Sequence, residues 1–452
     1  MSNTITVHRL DQAKAATDQC VHFGFCTAVC PTYVLDAEEN DSPRGRIAIA
    51  KDMLESGAPP SAAAVKHLDR CLSCLSCETT CAAGVKYRDI IDTAKEYIEN
   101  SGVRPVQERL FRALLSRLLT TPSYLSFMMR AGRPLSRLGR RLPGSLGALA
   151  SISNAPALRA FEPRTGLSAA THVVPTRRMA LLSGCVQSVT GSEINASAQR
   201  VLERAGITVI PTQGSTCCGA LDLHMGRRQR AIEHAAKTVK TWATQLECGE
   251  IEAIVVTTSG CASVIKHYDE LLDLQPDLAP LVKRVMDATR DITEVLQELP
   301  MVGGDAVRGA VVSYHDACSM KHGLKLTRTP RNVLERLAFD VRDIAESHIC
   351  CGSAGTYNIL QPAIAERLGK RKAGHAESCR PDVIVAGNLG CLVQMSRFTN
   401  VPVAHTVQLV DWATGGPAPR GLENFIPKAP EESIAVAESL QPATISTEDS
   451  LW

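Results

Sequence analysis

The chain has 452 residues, 44% of them hydrophobic, and its 49 Lys and Arg nearly balance 47 Asp and Glu for a net charge of +2. That length exceeds one ordinary domain and suits roughly two or three packed cores, while the near-neutral charge gives no basic excess for nucleic acid. Residues 1–12 carry neither a charged n-region nor an apolar h-region, and no run approaches the ~20 apolar residues of a bilayer span. A cytoplasmic protein is expected, peripheral on the inner face of the cell membrane if it meets one. Seventeen cysteines then need an explanation. Disulfide scaffolds are small and secreted, so metal binding remains.

The first cysteine motif combines Cys20, Cys26 and Cys30, followed by Pro31, with Phe23 where a C-x2-C-x2-C-x3-C run would have its second cysteine. The second motif is complete: Cys71, Cys74, Cys77 and Cys81, with Ala82 in place of the usual proline. This is the bacterial ferredoxin pattern, in which the fourth cysteine of one run ligates the other cluster. By that crossing, Cys71, Cys74, Cys77 and Cys30 hold one [4Fe–4S] cluster, and Cys20, Cys26 and Cys81 hold a second. A pair of zinc sites fits poorly, because zinc knuckles come as separated CxxC pairs. Phenylalanine cannot ligate iron, which leaves three outcomes open at the second cluster. It is [3Fe–4S]; or it keeps four irons with water or a side chain such as His22 on the fourth; or the ring excludes it. The C-x5-C-x3-C-P spacing resembles the three-iron motif of succinate dehydrogenase iron–sulfur subunits, so [3Fe–4S] is favoured. Residues 1–101 are read as a helical, ferredoxin-like two-cluster domain.

Residues 102–177 form an arginine-rich helical connector. From Arg104 to Arg141 it holds nine arginines and one acid, Glu108, while Val106, Leu110, Phe111, Leu114, Leu115, Leu118 and Leu119 repeat with helical spacing. The segment from Tyr124 to Met129 is also apolar. Such an amphipathic helix can lie in a membrane interface. The reading preferred for Val106–Leu119 is an ordinary helix packed on the C-terminal half, its arginines solvated or paired with a partner subunit.

From residue 178 the chain repeats. Cys185 is followed after 31 residues by Cys217, Cys218 and Gly219, then by Gly260 and Cys261; Cys318 is followed after 31 residues by Cys350, Cys351 and Gly352, then by Gly390 and Cys391. Equal spacing ahead of two CCG triplets marks an internal duplication, with units at 178–300 and 301–425 and a flexible tail expected at 426–452. Strands are expected at Met179–Leu182, Ile207–Pro211 and Ala253–Thr257, then at Ala310–Tyr314, Val341–Ile344 and Val383–Ala386. Helices such as Ser192–Arg204 and Arg227–Gln245 fall between. The alternation gives α/β units with largely parallel sheets, and so an α+β multidomain chain. Each repeat cysteine follows a strand, at the end of a sheet where sites assemble. Adjacent thiols there, with Gly219 or Gly352 allowing close backbone approach, suggest that all eight aim at metal, in two sites facing across a pseudo-two-fold axis. Ligation of a further cluster is preferred to redox dithiol chemistry. Cys248 and Cys379 lie outside the pattern and read as buried small hydrophobes.

These residues together resemble the iron–sulfur subunits of glycolate oxidase (glycolate dehydrogenase), within the CCG-domain proteins, from Cys20 to about Trp412. The likeness is carried by Asp41 to Arg46 (DSPRGR), Leu68 to Cys71, Cys217 to Leu221 with His224, His315 to Cys318, His322 with Gly323, Cys350 to Asn358, and His405 to Leu409. CCG repeats are shared with heterodisulfide reductase and anaerobic glycerol-3-phosphate dehydrogenase subunits; the DSPRGR and GSAGTYN segments narrow the likeness to the glycolate group. What the resemblance implies is a relay. An FAD-containing subunit oxidises glycolate to glyoxylate, a second flavoprotein-like subunit assists, and this chain passes electrons toward quinone. The family has cysteine where this chain has Phe23. No GxGxxG loop follows a strand, so neither a catalytic residue nor a substrate site is expected here. The alternative is a heterodisulfide-reductase-like thiol–disulfide reductase acting at the CCG sites.

Overall fold

The computed structural model describes residue 5 and residues 7–139, 144–153, 177–210, 217–301 and 303–427. The tail expected from residue 426 lies almost wholly outside the described residues, as does much of the connector beyond residue 139.

The N-terminal part is helical. Val7–Asp18, Pro43–Ser56, Ala62–Asp69 and Tyr87–Ser101 pack around two short helices, Phe25–Ala28 and Ser76–Thr80, one in each cysteine run. The Ser42 hydroxyl starts Pro43–Ser56 by accepting the Gly45 N–H at 3.0 Å, Pro43 occupies its first turn, and Gly57 at φ 64° ends it. Tyr87–Ser101 buries Tyr87, Ile90, Ile91, Ala94 and Ile98, one face at helical spacing, in a core shared with Ile47, Ala50, Leu54 and Leu68.

Two four-stranded parallel sheets follow. The first contains β1 (Arg177–Leu181), β2 (Ile207–Ile210), β3 (Ala253–Val256) and β4 (Thr289–Asp291), in the order β2-β1-β3-β4. The second contains β5 (Val311–His315), β6 (Asp340–Asp343), β7 (Val383–Ala386) and β8 (Val403–His405), in the order β6-β5-β7-β8. Met179 pairs with Val209 on one side and Ala253 on the other; Ser313 pairs with Arg342 and Ile384. Every residue of β3 and β7 is buried, as in a parallel sheet covered on both faces. In each sheet the order reverses between the first and third strands, so a crevice opens at their carboxyl ends. The six strands expected from sequence are present within a residue or two. Edge strands β4 and β8 were not anticipated, because three residues are too few to show a period.

The connector helix Val106–Thr120 corrects one expectation. It packs on the chain, but Arg104 and Arg112 are buried rather than solvated. Arg104 reaches Asp69 at 2.6 Å, and Arg112 reaches Asp69 and Glu108 at 3.0 Å each. Ser116 donates to buried Asp222 at 2.5 Å. The acids on the surface beneath draw the polar side inward. Val106, Leu110 and Leu114 consequently face solvent at 67%, 66% and 66% exposure, and Tyr124 and Phe127 on the next helix, Pro122–Gly139, are also exposed. No helix among the described residues is long and apolar enough to cross a membrane.

Candidate metal centres

Cys30, Cys71, Cys74 and Cys77 line one small cavity, the crossed set drawn from both motifs. The loop that wraps it places Ser73 at φ 52° and Leu75 at φ 60°, and the Ser73 N–H points at Cys71 Sγ, 3.4 Å away. Lys95 clamps this loop through the Cys71 carbonyl at 3.0 Å and Ser73 Oγ at 2.8 Å, while the Tyr87 hydroxyl lies 3.6 Å from Cys71 Sγ. The DSPRGR segment supplies the opposite wall. Arg46, 2% exposed, donates to the His67 carbonyl at 2.7 Å and Thr32 Oγ1 at 2.9 Å, and its Nη1 lies 3.7 Å from Cys30 Sγ. Asp41 anchors the same wall through His67 at 2.9 Å and Arg70 at 2.7 Å. Burial pushes the Cys74 and Cys77 thiols well above their ordinary pKa, and neighbouring sulfurs add to it. Such a cavity cannot hold several thiolates without a compensating positive centre. Buried thiols that converge on one cavity beside a fixed guanidinium fit the donor set of an iron–sulfur cluster.

The first motif has the same backbone with one side chain changed. His22 at φ 56° and Gly24 at φ 85° repeat the left-handed positions of Ser73 and Leu75, and Phe25–Ala28 repeats Ser76–Thr80. Phe23 occupies the place of Cys74, but its ring does not fill the loop. It is 67% exposed and lies against Phe25, with ring centroids 6.2 Å apart. Cys20, Cys26 and Cys81 are half-buried against the same N-terminal core. His22, the side chain named as a possible fourth ligand, is exposed.

The eight repeat cysteines gather in two groups, one at the crevice of each sheet. In the first, Cys217 neighbours Cys185 and Cys218 neighbours Cys261; these contacts, together with burial, push both thiols up. In the second, Cys318 Sγ lies 3.9 Å from Cys350 Sγ, and Cys351 neighbours Cys391. The glycine of each CCG has one physical cause. Gly219 (φ 84°) and Gly352 (φ 88°) are left-handed, and a Cβ on either would come within 2.8 Å of a helix carbonyl, that of Ala231 or Ala365. Each helix that starts at the late cysteine packs on the other copy. Ser259–Ile265 sets Ser263 against Gly323, and Leu389–Met395 sets Leu389 against Gly191, a reciprocal pair of contacts. Ser259 Oγ and Ser319 Oγ meet at 2.8 Å between them.

The surroundings of the two groups differ. The first lines a largely apolar cavity walled by Leu119, Leu125, Met129 and Leu149 from the connector, with Leu221 and His224. The second abuts the N-terminal cavity: Leu72 and Cys74 join its core, Thr79 bonds His322 at 2.6 Å, and the Tyr357 hydroxyl donates to the Arg70 carbonyl at 3.0 Å. Burial pushes His224 and His322 down to about 4 and His315 to about 3, so all three are neutral. Cys248 and Cys379 stand apart, each capping a helix C-terminus. Cys248 is exposed and Cys379 half-buried, which corrects their reading as buried hydrophobes. The roles of Arg46, Lys95 and Tyr87 had no sequence signal beyond the DSPRGR segment itself.

A family model described as a cysteine-rich domain (CCG) matches residues 179–266 and again 312–396, and one described as a 4Fe-4S dicluster domain matches residues 16–85. The chain is 35% identical over 403 residues to the glycolate oxidase iron-sulfur subunit of Escherichia coli (strain K12), covering 89% of this chain and 95% of that one. It is 26% identical over 404 residues to a probable glycolate oxidase iron-sulfur subunit of Bacillus subtilis (strain 168), covering 86% and 89%. Lactate utilization protein A of Shouchella clausii is 26% identical over 240 residues, 52% of this chain and 98% of that one. The crystal structure of a hypothetical protein from Helicobacter pylori superposes with a TM-score of 0.55 at 13% identity, over 92% of this chain and 74% of that one, a likeness of fold. The chain belongs to the glycolate oxidase iron–sulfur subunit family.

Proposed function

We propose that this chain relays electrons within a flavin-dependent glycolate dehydrogenase complex, from glycolate oxidation at a partner flavoprotein subunit toward quinone. Bound iron–sulfur clusters would supply the one-electron carriers; the chain's own residues hold them, bury them and set their spacing. Cys30, Cys71, Cys74 and Cys77 are the ligands of a [4Fe–4S] cluster. Cys20, Cys26 and Cys81 hold a [3Fe–4S] cluster, and the eight CCG cysteines hold further cluster iron. The division at residues 101, 177, 300 and 425 follows these groups.

The observation that carries the reading is the seam at Cys74. This cysteine of the complete motif packs against the same core as Cys318, Cys350 and Cys351, with Leu72 inside that core, so the N-terminal cavity and the second CCG group are contiguous. The exposed apolar side chains of the connector, Val106, Leu110, Leu114, Tyr124 and Phe127, support a contact with a partner subunit or the inner membrane surface.

The test is iron and acid-labile sulfide analysis with EPR on anaerobically prepared protein. The reading expects sulfide, a paramagnetic signal from the oxidised three-iron cluster, and cluster reduction by glycolate when the flavoprotein subunit is added. Absence of sulfide would overturn it. The separation of Cys318 and Cys350, 3.9 Å between sulfurs, favours a second reading, a thiol–disulfide reductase. Replacing Cys318 and Cys350 by serine separates the two. Lost iron supports ligation; unchanged iron with lost disulfide turnover supports the reductase.

A further inference from the structure

His315 ends β5 three residues before Cys318, and its ring is 1% exposed. Neither Nδ1 nor Nε2 has a hydrogen-bond partner. A buried imidazole with both nitrogens unpaired is costly, and the fold holds this one where its ligand atom lies within 4.8 Å of both Cys351 Sγ and Cys391 Sγ. The three atoms are also within 4.8 Å of one another, and all three residues are buried. With metal–sulfur bonds of ~2.3 Å and metal–nitrogen bonds of ~2.0 Å, a tetrahedral centre places its ligand atoms ~3.5–3.8 Å apart. A grouping within 4.8 Å is close enough for the three atoms to converge on a single metal atom. At the matching position, three residues before Cys185, the first copy has Leu182, buried and apolar; His224 lines the first copy's cavity, but among the described residues it does not group with two cysteines as His315 does.

We propose that His315 is a nitrogen ligand to the metal held by Cys351 and Cys391, so that the second CCG site is a mixed cysteine–histidine centre and the first is not. The proposal rests on the reading that the CCG cysteines bind metal. An imidazole with no hydrogen bond at either nitrogen has a lone pair to offer, which is what ligation needs. Either an iron of the second site or a separate zinc ion has the matching chemistry. A histidine in place of a thiolate removes negative charge from a centre and raises its potential relative to an all-cysteine site.

The full chain, anaerobically prepared with nitrogen-15 histidine, would be examined by electron spin-echo spectroscopy after reduction, with iron and zinc counted in the same samples. A coupled histidine nitrogen is expected in the natural protein and absent in His315→Leu, which copies the first repeat. If the metal is zinc, the loss shows instead as about one zinc per chain, with nitrogen scattering at the zinc absorption edge before the substitution. His315→Cys should keep the metal and lose the nitrogen signal. An unchanged nitrogen signal and metal count in His315→Leu would overturn the proposal, as would a natural protein with neither a coupled nitrogen nor bound zinc. That last measurement needs no variant to fold. Cys351→Ser tests the underlying reading separately: metal content unaffected by that change would sink CCG ligation itself, whereas metal lost there but unaffected by His315→Leu would sink only the histidine.

Discussion

If the second N-terminal cluster has three irons as proposed, replacing Phe23 with cysteine should convert it to four. The backbone is already shaped for it, since His22 and Gly24 repeat the left-handed conformations of Ser73 and Leu75 on either side of the substituted position. The change should cost little stability. Phe23 is 67% exposed, so about a third of a ~200 Å² side chain is covered, worth at most about 1.7 kcal/mol at ~25 cal/mol per Å². Part of that returns when the new thiol is itself covered. The assay is iron content together with EPR of the oxidised protein. Iron should rise by about one atom per chain, and the signal of the oxidised three-iron cluster should disappear, because [4Fe–4S]2+ is diamagnetic. An unchanged iron count with a persistent signal would refute the reasoning, and so would destabilisation beyond about 3 kcal/mol, which would mean that the ring is structural.

Arg46→Met should lower the unfolding free energy by about 3–5 kcal/mol, because it strips a partner from buried Asp41 and donors from Thr32 and the His67 carbonyl; urea titration checks this, and a loss under about 1 kcal/mol would contradict it. Gly352→Ala places a Cβ at φ 88° within 2.8 Å of the Ala365 carbonyl, and should cost about 2 kcal/mol or more, whereas Gly374→Ala, inside helix Pro362–Ser378 with nothing within 4 Å, should stabilise by about 0.5–1 kcal/mol in the same thermal melts. Asp291 sits fully buried at the start of helix Ile292–Glu298, and burial lifts its carboxyl from the ordinary range to about 7. Between about pH 4 and 7 the folded chain therefore holds a proton that the unfolded chain lacks. Stability should fall as pH rises through that window, by up to about 1.4 kcal/mol per pH unit. Asp291→Asn should flatten the slope in urea titrations at pH 5 and 7; identical slopes in the two proteins would count against it.

Periodicity and spacing made the repeated half legible. β3 and β7 read as short apolar runs because both faces are covered, and the equal intervals before Cys217 and Cys350 exposed the duplication before any strand was placed. The connector was harder. Its apolar residues recur at helical spacing, yet they divide between two faces: Leu115 is buried and Leu119 lines the inner cavity, while Val106, Leu110 and Leu114 face solvent. Asp69 and Asp222, distant in sequence, decide that by pairing with Arg104, Arg112 and Ser116. The same limit applies at the N-terminal cavity. Its four cysteines were legible from the crossing rule, whereas Arg46, Tyr87 and Lys95 reach it from helices whose packing no local pattern encodes.

The two CCG copies have diverged where their neighbours differ. The second copy meets the N-terminal cavity through Leu72, Cys74 and Thr79, and it alone carries His315 where the first has Leu182. The first copy turns its cysteines toward an apolar cavity walled by the connector, the element that also presents the exposed apolar side chains. On the proposed reading the chain is a relay in which the second copy, which meets the complete N-terminal motif through Leu72, Cys74 and Thr79, takes electrons first and the first copy lies beyond it. Under that order, Cys217→Ser with Cys218→Ser should leave the N-terminal clusters reducible by the flavoprotein subunit while blocking onward transfer. Cys350→Ser with Cys351→Ser should also leave the first-copy cluster oxidised. Reduction of the first-copy cluster at an undiminished rate in the second variant would show that electrons do not pass through the second copy.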